Sequence, residues 1–215
     1  LQKVRDITET STVRCLDAAV GERMVEAIRV AKSSRDSLGG VAEIIVRGLP
    51  IGLGGFSQSY HRLDGRLAGA LMAMHSVKGV EIGRGFEAAA RRGTEVHDEI
   101  FYDSKGDPRR KRFYRKTNNA GGFEAGITNG EDVIVRVAAK PISTLNQPLK
   151  TVDVTTKEKG EAIVERTDNC VVPALGVVCE AVAALVLTEA FLEKFGSDNL
   201  AETERSFDAF LNSEY

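Results

Sequence analysis

The sequence predicts an α+β fold: a layered arrangement of antiparallel sheets around buried helices. Three features predict it. Short strand-length segments follow one another through turn-rich connections. Longer segments with helical periodicity stand apart from them. One of these, Val171 to Leu187, is apolar except for Glu180. Antiparallel partners need only tight turns between them, and a helix this apolar is expected to be buried on most of its circumference, with layers on both sides.

Taken in order, residues 1–12 are polar and without periodicity, which reads as a connector from something upstream. No initiator methionine precedes Leu1, and no signal-peptide pattern is present, so a soluble cytoplasmic portion of a longer polypeptide is expected. Asp17 stands at an N-cap position, and Val20, Met24, Ala27, Ile28 and Ala31 recur at helical spacing up to Lys32. Arg35 to Gly40 breaks that helix, and Val41 to Arg47 reads as a strand. Gly48 to Gly55 is a loop by its glycines and proline. Leu63, Leu67, Ala70, Leu71 and Met74 mark a second helix, and Val77 to Ile82 a short strand.

Gly83-Arg84-Gly85-Phe86-Glu87-Ala88 then imitates a dinucleotide fingerprint. Its helix is cut off by Arg92-Gly93 after about two turns, too short for a parallel crossover, so close backbone packing explains the glycines better. Asp98 to Lys116 is polar, with six basic residues among the eight from Arg109 to Lys116, interleaved with Phe113 and Tyr114. A solvated charged loop and a nucleic-acid patch are the two readings of that block.

Phe123 to Thr128 and Asp132 to Ala139 flank Asn129-Gly130, a strong hairpin signal. Thr151 to Val154 and Ala162 to Arg166 flank a turn-rich stretch and suggest a second hairpin. The apolar helix follows, too short and too interrupted to span a bilayer by this reading, with Pro173 near its first position. An amphipathic helix capped at Ser197 or Asp198 runs to about Leu211.

Composition narrows the function classes. The 215 residues carry a net charge of −2 and a pI near 6.0, which argues against global attraction to nucleic acid or anionic lipid. Trp is absent and aromatics make up 6%, so few rings are available to stack bases. Cys15, Cys170 and Cys179 lack any Cys-x-x-Cys spacing, and His61, His75 and His97 show no i,i+4 pairing, so reduced thiols and no metal are expected.

Three places suit chemistry. If Ile163 to Asp168 is extended, Arg166 and Asp168 share a face, a cation and an anion held where strand becomes helix. A structural ion pair is the competing reading. Past the end of the preceding strand, Lys140-Pro141-Ile142-Ser143-Thr144 offers a cation, two hydroxyls and backbone N–H groups to a phosphate, against the reading of an ordinary loop. Asn118 to Gly122 is either a turn or a backbone that approaches a planar ligand closely.

These segments together resemble a family. Lys78-Gly79-Val80-Glu81-Ile82-Gly83-x-Gly85-Phe86, Thr117-Asn118-x-Ala120-Gly121-Gly122, Lys140 to Thr144, and Arg166-Thr167-Asp168-Asn169-Cys170-Val171-Val172-Pro173 with Glu180 look, in this order, like the C-terminal half of chorismate synthase. Asp36-Ser37-Leu38-Gly39-Gly40 and the Gly-Leu-Pro loop fit as well. The resemblance implies a β-α-β sandwich and a homotetramer. It also implies 1,4-elimination of phosphate from 5-enolpyruvylshikimate 3-phosphate with reduced FMN and no net redox change.

By the same resemblance, Lys140, Pro141, Ile142, Ser143, Thr144 and Arg166 contact the flavin, as do His75, Ser76 and Ala125. Arg166 and Asp168 are catalytic, the carboxylate as a proton acceptor. The family usually carries an amide residue followed by Ala where this chain has His75-Ser76. Its N-terminal half carries a Ser-His-Gly motif and an arginine-rich segment that these residues lack, so no turnover is expected from this portion alone. An RNA-binding module on residues 109–116 and a flavin oxidoreductase consuming NAD(P)H are the competing functions.

Overall fold

The structure, a computed structural model, describes residues 2–165 and 168–213. The fold is α+β, with helices and short strands in small sheets. The chain forms two compact units, Leu1–Ala42 with Ala138–Val177, and Glu43–Val137 with Val178–Tyr215.

In the first unit, α1 (Gln2–Thr10) is a regular helix with no buried residue, within the stretch read from sequence as a polar connector without periodicity. Its two apolar residues, Val4 and Ile7, stand three apart and share one face of the helix, a pattern too short to stand out in a polar stretch. Helix α2 (Ala18–Ser33) begins where expected, because the Asp17 carboxylate accepts the Val20 N–H at 2.9 Å. Strand β1 (Gly40–Val46) starts in this unit and runs into the second.

The second unit contains α3 (Leu63–Met72), β2 (Val77–Ile82) and two single-turn helices, α4 (Phe86–Ala89) and α5 (Gly93–Val96). Strands β3 (Ile100–Tyr102) and β4 (Phe113–Arg115) pair antiparallel, with Tyr102 opposite Phe113. Strands β5 (Phe123–Glu124) and β6 (Ile127–Thr128) pair with each other, and β7 (Val133–Ala139) lies between β1 and β2 in a three-stranded sheet. The Asn129-Gly130 hairpin is therefore corrected. The tight turn is Ala125-Gly126, and Asn129-Gly130 links strands of different sheets. Burial alternates along β7, with Val133, Val135, Val137 and Ala139 buried. Leu53, Leu63, Leu67, Leu71 and Val77 complete the apolar core of this unit, each side chain contributing about 1.5–3 kcal/mol on burial.

Back in the first unit, β8 (Lys150–Val152) and β9 (Lys159–Glu161) form the second predicted hairpin, shifted so that the return strand ends at Glu161. Residues 162–165 are in neither strand nor helix, so the expected strand from Ile163 to Asp168 is absent over its described part. Helix α6 (Val172–Phe195) buries one stripe, Leu175, Cys179, Ala183, Leu187 and Ala190. Only 28% of its most apolar window is buried, which corrects the expectation of burial on most of its circumference. At 24 residues it is also long and apolar enough to cross a membrane, a test that a core helix passes too. Helix α7 (Leu200–Asn212) is capped one residue later than expected, by the Asn199 side chain on the Glu202 N–H at 3.0 Å.

Candidate functional site

The five residues Lys140 to Thr144 leave the end of β7 without regular secondary structure. Lys140, Pro141 and Ser143 are exposed, and the Lys140 ammonium donates only a long 3.4 Å bond to the adjacent Pro141 carbonyl among the described contacts. A cation so weakly engaged is available to an anionic group. With the nearby hydroxyls, this donor set fits the phosphate of a nucleotide cofactor.

Asp168 is exposed and belongs to the same unit as that turn. Arg166, its predicted partner, lies outside the described residues. Both segments are fastened to the stretch after α2. The buried Ser37 hydroxyl donates to the Ile142 carbonyl at 2.8 Å, and the Leu38 N–H donates to the Asn169 carbonyl at 2.7 Å. The Asn169 amide in turn donates to the Asp36 carbonyl at 2.8 Å. Ser37 and Asn169 lie within the motifs, but spacing alone assigns neither of them a task. A hydroxyl two residues before the paired glycines Gly39-Gly40 is the available signal.

His75, Ser76 and Ala125 lie in the second unit. His75 and Ser76 form the turn between α3 and β2, with His75 exposed. Ser76 (φ 70°) and Ala125 (φ 52°) both adopt the left-handed backbone that non-glycine residues rarely occupy. Strain of this kind clusters at ligand sites, though it also occurs here in ordinary turns such as that at Lys157.

The glycine-rich stretches serve packing. Gly83 (φ 59°) approaches the Asn118 to Gly122 turn so closely that a side chain would overlap the Asn119 carbonyl, and the Gly83 N–H donates to the Ile134 carbonyl at 3.0 Å. The planar-ligand reading of that turn is thereby replaced by backbone against backbone. Asp98 ties the turn down, accepting from the Thr117 hydroxyl at 2.6 Å and from the N–H groups of Asn119 and Ala120 at 2.9 Å.

The basic stretch is consumed internally, which removes the support for an RNA interface. Arg109 pairs with Asp107, Arg110 with Glu131 and Arg115 with Glu124. Lys116 sits over the Phe101 ring. Lys111, 8% exposed, donates to the Phe210 and Ser213 carbonyls at the end of α7. The predicted solvated loop is the β3–β4 hairpin, its charges neutralised at short range by carboxylates that the composition of the block alone does not reveal. A cavity of about 610 Å³ lies elsewhere, lined by residues of α1, α2 and their connection, and includes none of the predicted site residues.

Comparison with known proteins agrees with the motifs. The family profile described as chorismate synthase matches residues 1–192. The chain is 52% identical over 213 residues to the chorismate synthase of Geobacter sulfurreducens, covering 98% of this chain and 54% of that one. It is 50% identical over 204 residues to the chorismate synthase of Alkaliphilus metalliredigens, covering 95% and 52%. A crystal structure of chorismate synthase superposes with a TM-score of 0.81 at 39% identity, over 99% of this chain and 54% of the other. The chain spans about half the length of the curated relatives it matches. With the motifs, the profile and the superposition in agreement, the chain belongs to the chorismate synthase family.

Proposed function

We propose that the chain is the C-terminal portion of a single chorismate synthase domain. In the whole enzyme it would take part in the 1,4-elimination of phosphate from 5-enolpyruvylshikimate 3-phosphate to give chorismate. The observation that carries this reading is the tying of the Lys140 to Thr144 turn and the Asp168 segment to one stretch, in a chain of this family.

In this reading Lys140, Pro141, Ile142, Ser143 and Thr144 would hold FMN, the ammonium and hydroxyls supplying donors to an anionic group. His75, Ser76 and Ala125 add contacts in the whole enzyme, as does Arg166. Reduced FMN, when bound, supplies electron density that helps the substrate phosphate leave. Asp168 would accept a proton at its carboxylate, and Arg166 would neutralise charge on the substrate phosphate. The same reading carries a cytoplasmic homotetramer, and the alternatives of RNA binding and NAD(P)H-consuming oxidation find no support in the family.

The test joins the chain to the segment of the Geobacter sulfurreducens relative that it does not match. With dithionite-reduced FMN, the joined protein is expected to release phosphate and chorismate in equal amounts without consuming reductant. The chain by itself is expected to give neither. A soluble joined protein that binds FMN yet eliminates no phosphate would overturn the assignment.

A further inference from the structure

We propose that Ser37 and Asn169 are positioning residues, which set the flavin-binding turn and the Asp168 segment in one register; the inference rests on the function proposed above. Ser37 is only 6% exposed, an uncommon place for a hydroxyl without a task. Its Oγ reaches Ile142, the middle residue of the turn, at 2.8 Å, while its own N–H is held by the Asp36 carboxylate at 2.8 Å. One residue on, the Leu38 N–H reaches the Asn169 carbonyl at 2.7 Å, and Leu38 forms a parallel bridge with Cys170. The Asn169 side chain closes the loop by donating to Asp36 at 2.8 Å.

Three consecutive residues thus hold one segment by a side chain and the other by the backbone. The approach leaves no slack, because a side chain at Gly39 would overlap the Ala139 carbonyl and lie 3.0 Å from the Pro141 ring. The turn from Lys140 onward has no ladder of its own, so its shape depends on outside bonds such as that from Ser37. Fixing a ligand loop in its bound shape removes an ordering cost from binding.

The test measures FMN affinity of the joined protein by quenching of flavin fluorescence, alongside thermal melting. Ser37→Ala is expected to weaken binding about fivefold to tenfold, the worth of one hydrogen bond. Asn169→Ala, at a half-exposed position that tolerates truncation, is expected to weaken it about threefold or more. Ser37→Ala combined with Lys140→Ala is expected to lose less than the product of the two single losses, since both act on one turn. A general loss of stability would not produce that coupling. If Lys140→Ala weakens binding while Ser37→Ala and Asn169→Ala match the unaltered protein, the positioning role falls and the flavin reading stands. If Lys140→Ala leaves binding unchanged, the flavin reading falls and the positioning role with it. Should Ser37→Ala fail to fold, Asn169→Ala decides alone.

Discussion

At Asp98 one carboxylate takes three hydrogen bonds from the segment Thr117 to Ala120. Partial burial pushes its pKa up, but the Thr117 hydroxyl and the two backbone N–H groups outweigh that and leave it below the usual carboxylate value. A depressed folded-state pKa means that the stabilisation is present above the unfolded value near 3.9 and fades as pH falls through the folded one. Asp98→Asn is therefore expected to lower stability at pH 7 by about 1–3 kcal/mol and to reduce the loss seen on acidification below about pH 4, both read from urea midpoints. Gly83 makes a second prediction at this scale. Its positive φ and the Asn119 carbonyl both exclude a side chain, so Gly83→Ala should cost more than about 2 kcal/mol in the same titration. The sequence showed that these glycines were structural. It did not show Asp98, because a carboxylate that binds backbone leaves no spacing pattern behind it.

Single turns decide the elements, and here sequence was a partial guide. The Asp17 cap, β2 and the start of α3 were legible because a capping side chain or an apolar period acts locally. The β5–β6 hairpin was not. Its two-residue turn, Ala125 (φ 52°) and Gly126 (φ 83°), has positive φ at both positions, where Asn-Gly is the favoured pair. The sequence offers Asn-Gly four residues too late, at Asn129-Gly130, and alanine at the first turn position. Ala125→Asn is thus expected to raise stability by about 0.5–1 kcal/mol in chemical denaturation. If alanine stands there because the flavin meets this backbone, the same variant of the joined protein should bind FMN more weakly than the parent. The end of α7 supplies the opposite case. Lys111 donates to the carbonyls of Phe210 and Ser213 that the helix leaves open, so Lys111→Met should destabilise the chain by about 1–3 kcal/mol, seen as a lower melting temperature.

Across the whole molecule, the least legible property is how much apolar surface stays in water. The apolar run of α6 was plain in the sequence, but composition cannot say which of its faces finds a partner. The buried stripe repeats every three or four residues from Leu175 to Ala190, while Val177, Val178 and Leu185 point outward, the last 72% exposed. An exposed face of this kind on a chain with a net charge of only −2 has little electrostatic repulsion to keep copies apart. The isolated chain is expected to bind the apolar dye ANS and to scatter light most strongly near pH 6, where its net charge vanishes. Leu185→Lys combined with Val178→Lys should remove most of the dye signal without lowering the melting temperature, because neither side chain belongs to the buried stripe. An unchanged dye signal would mean that other exposed groups, such as Val154 and Ile163 beside the β8–β9 hairpin, dominate the apolar surface. The contrast separates a helix face from a hairpin as the seat of association, which the hydrophobic count of the sequence could not do.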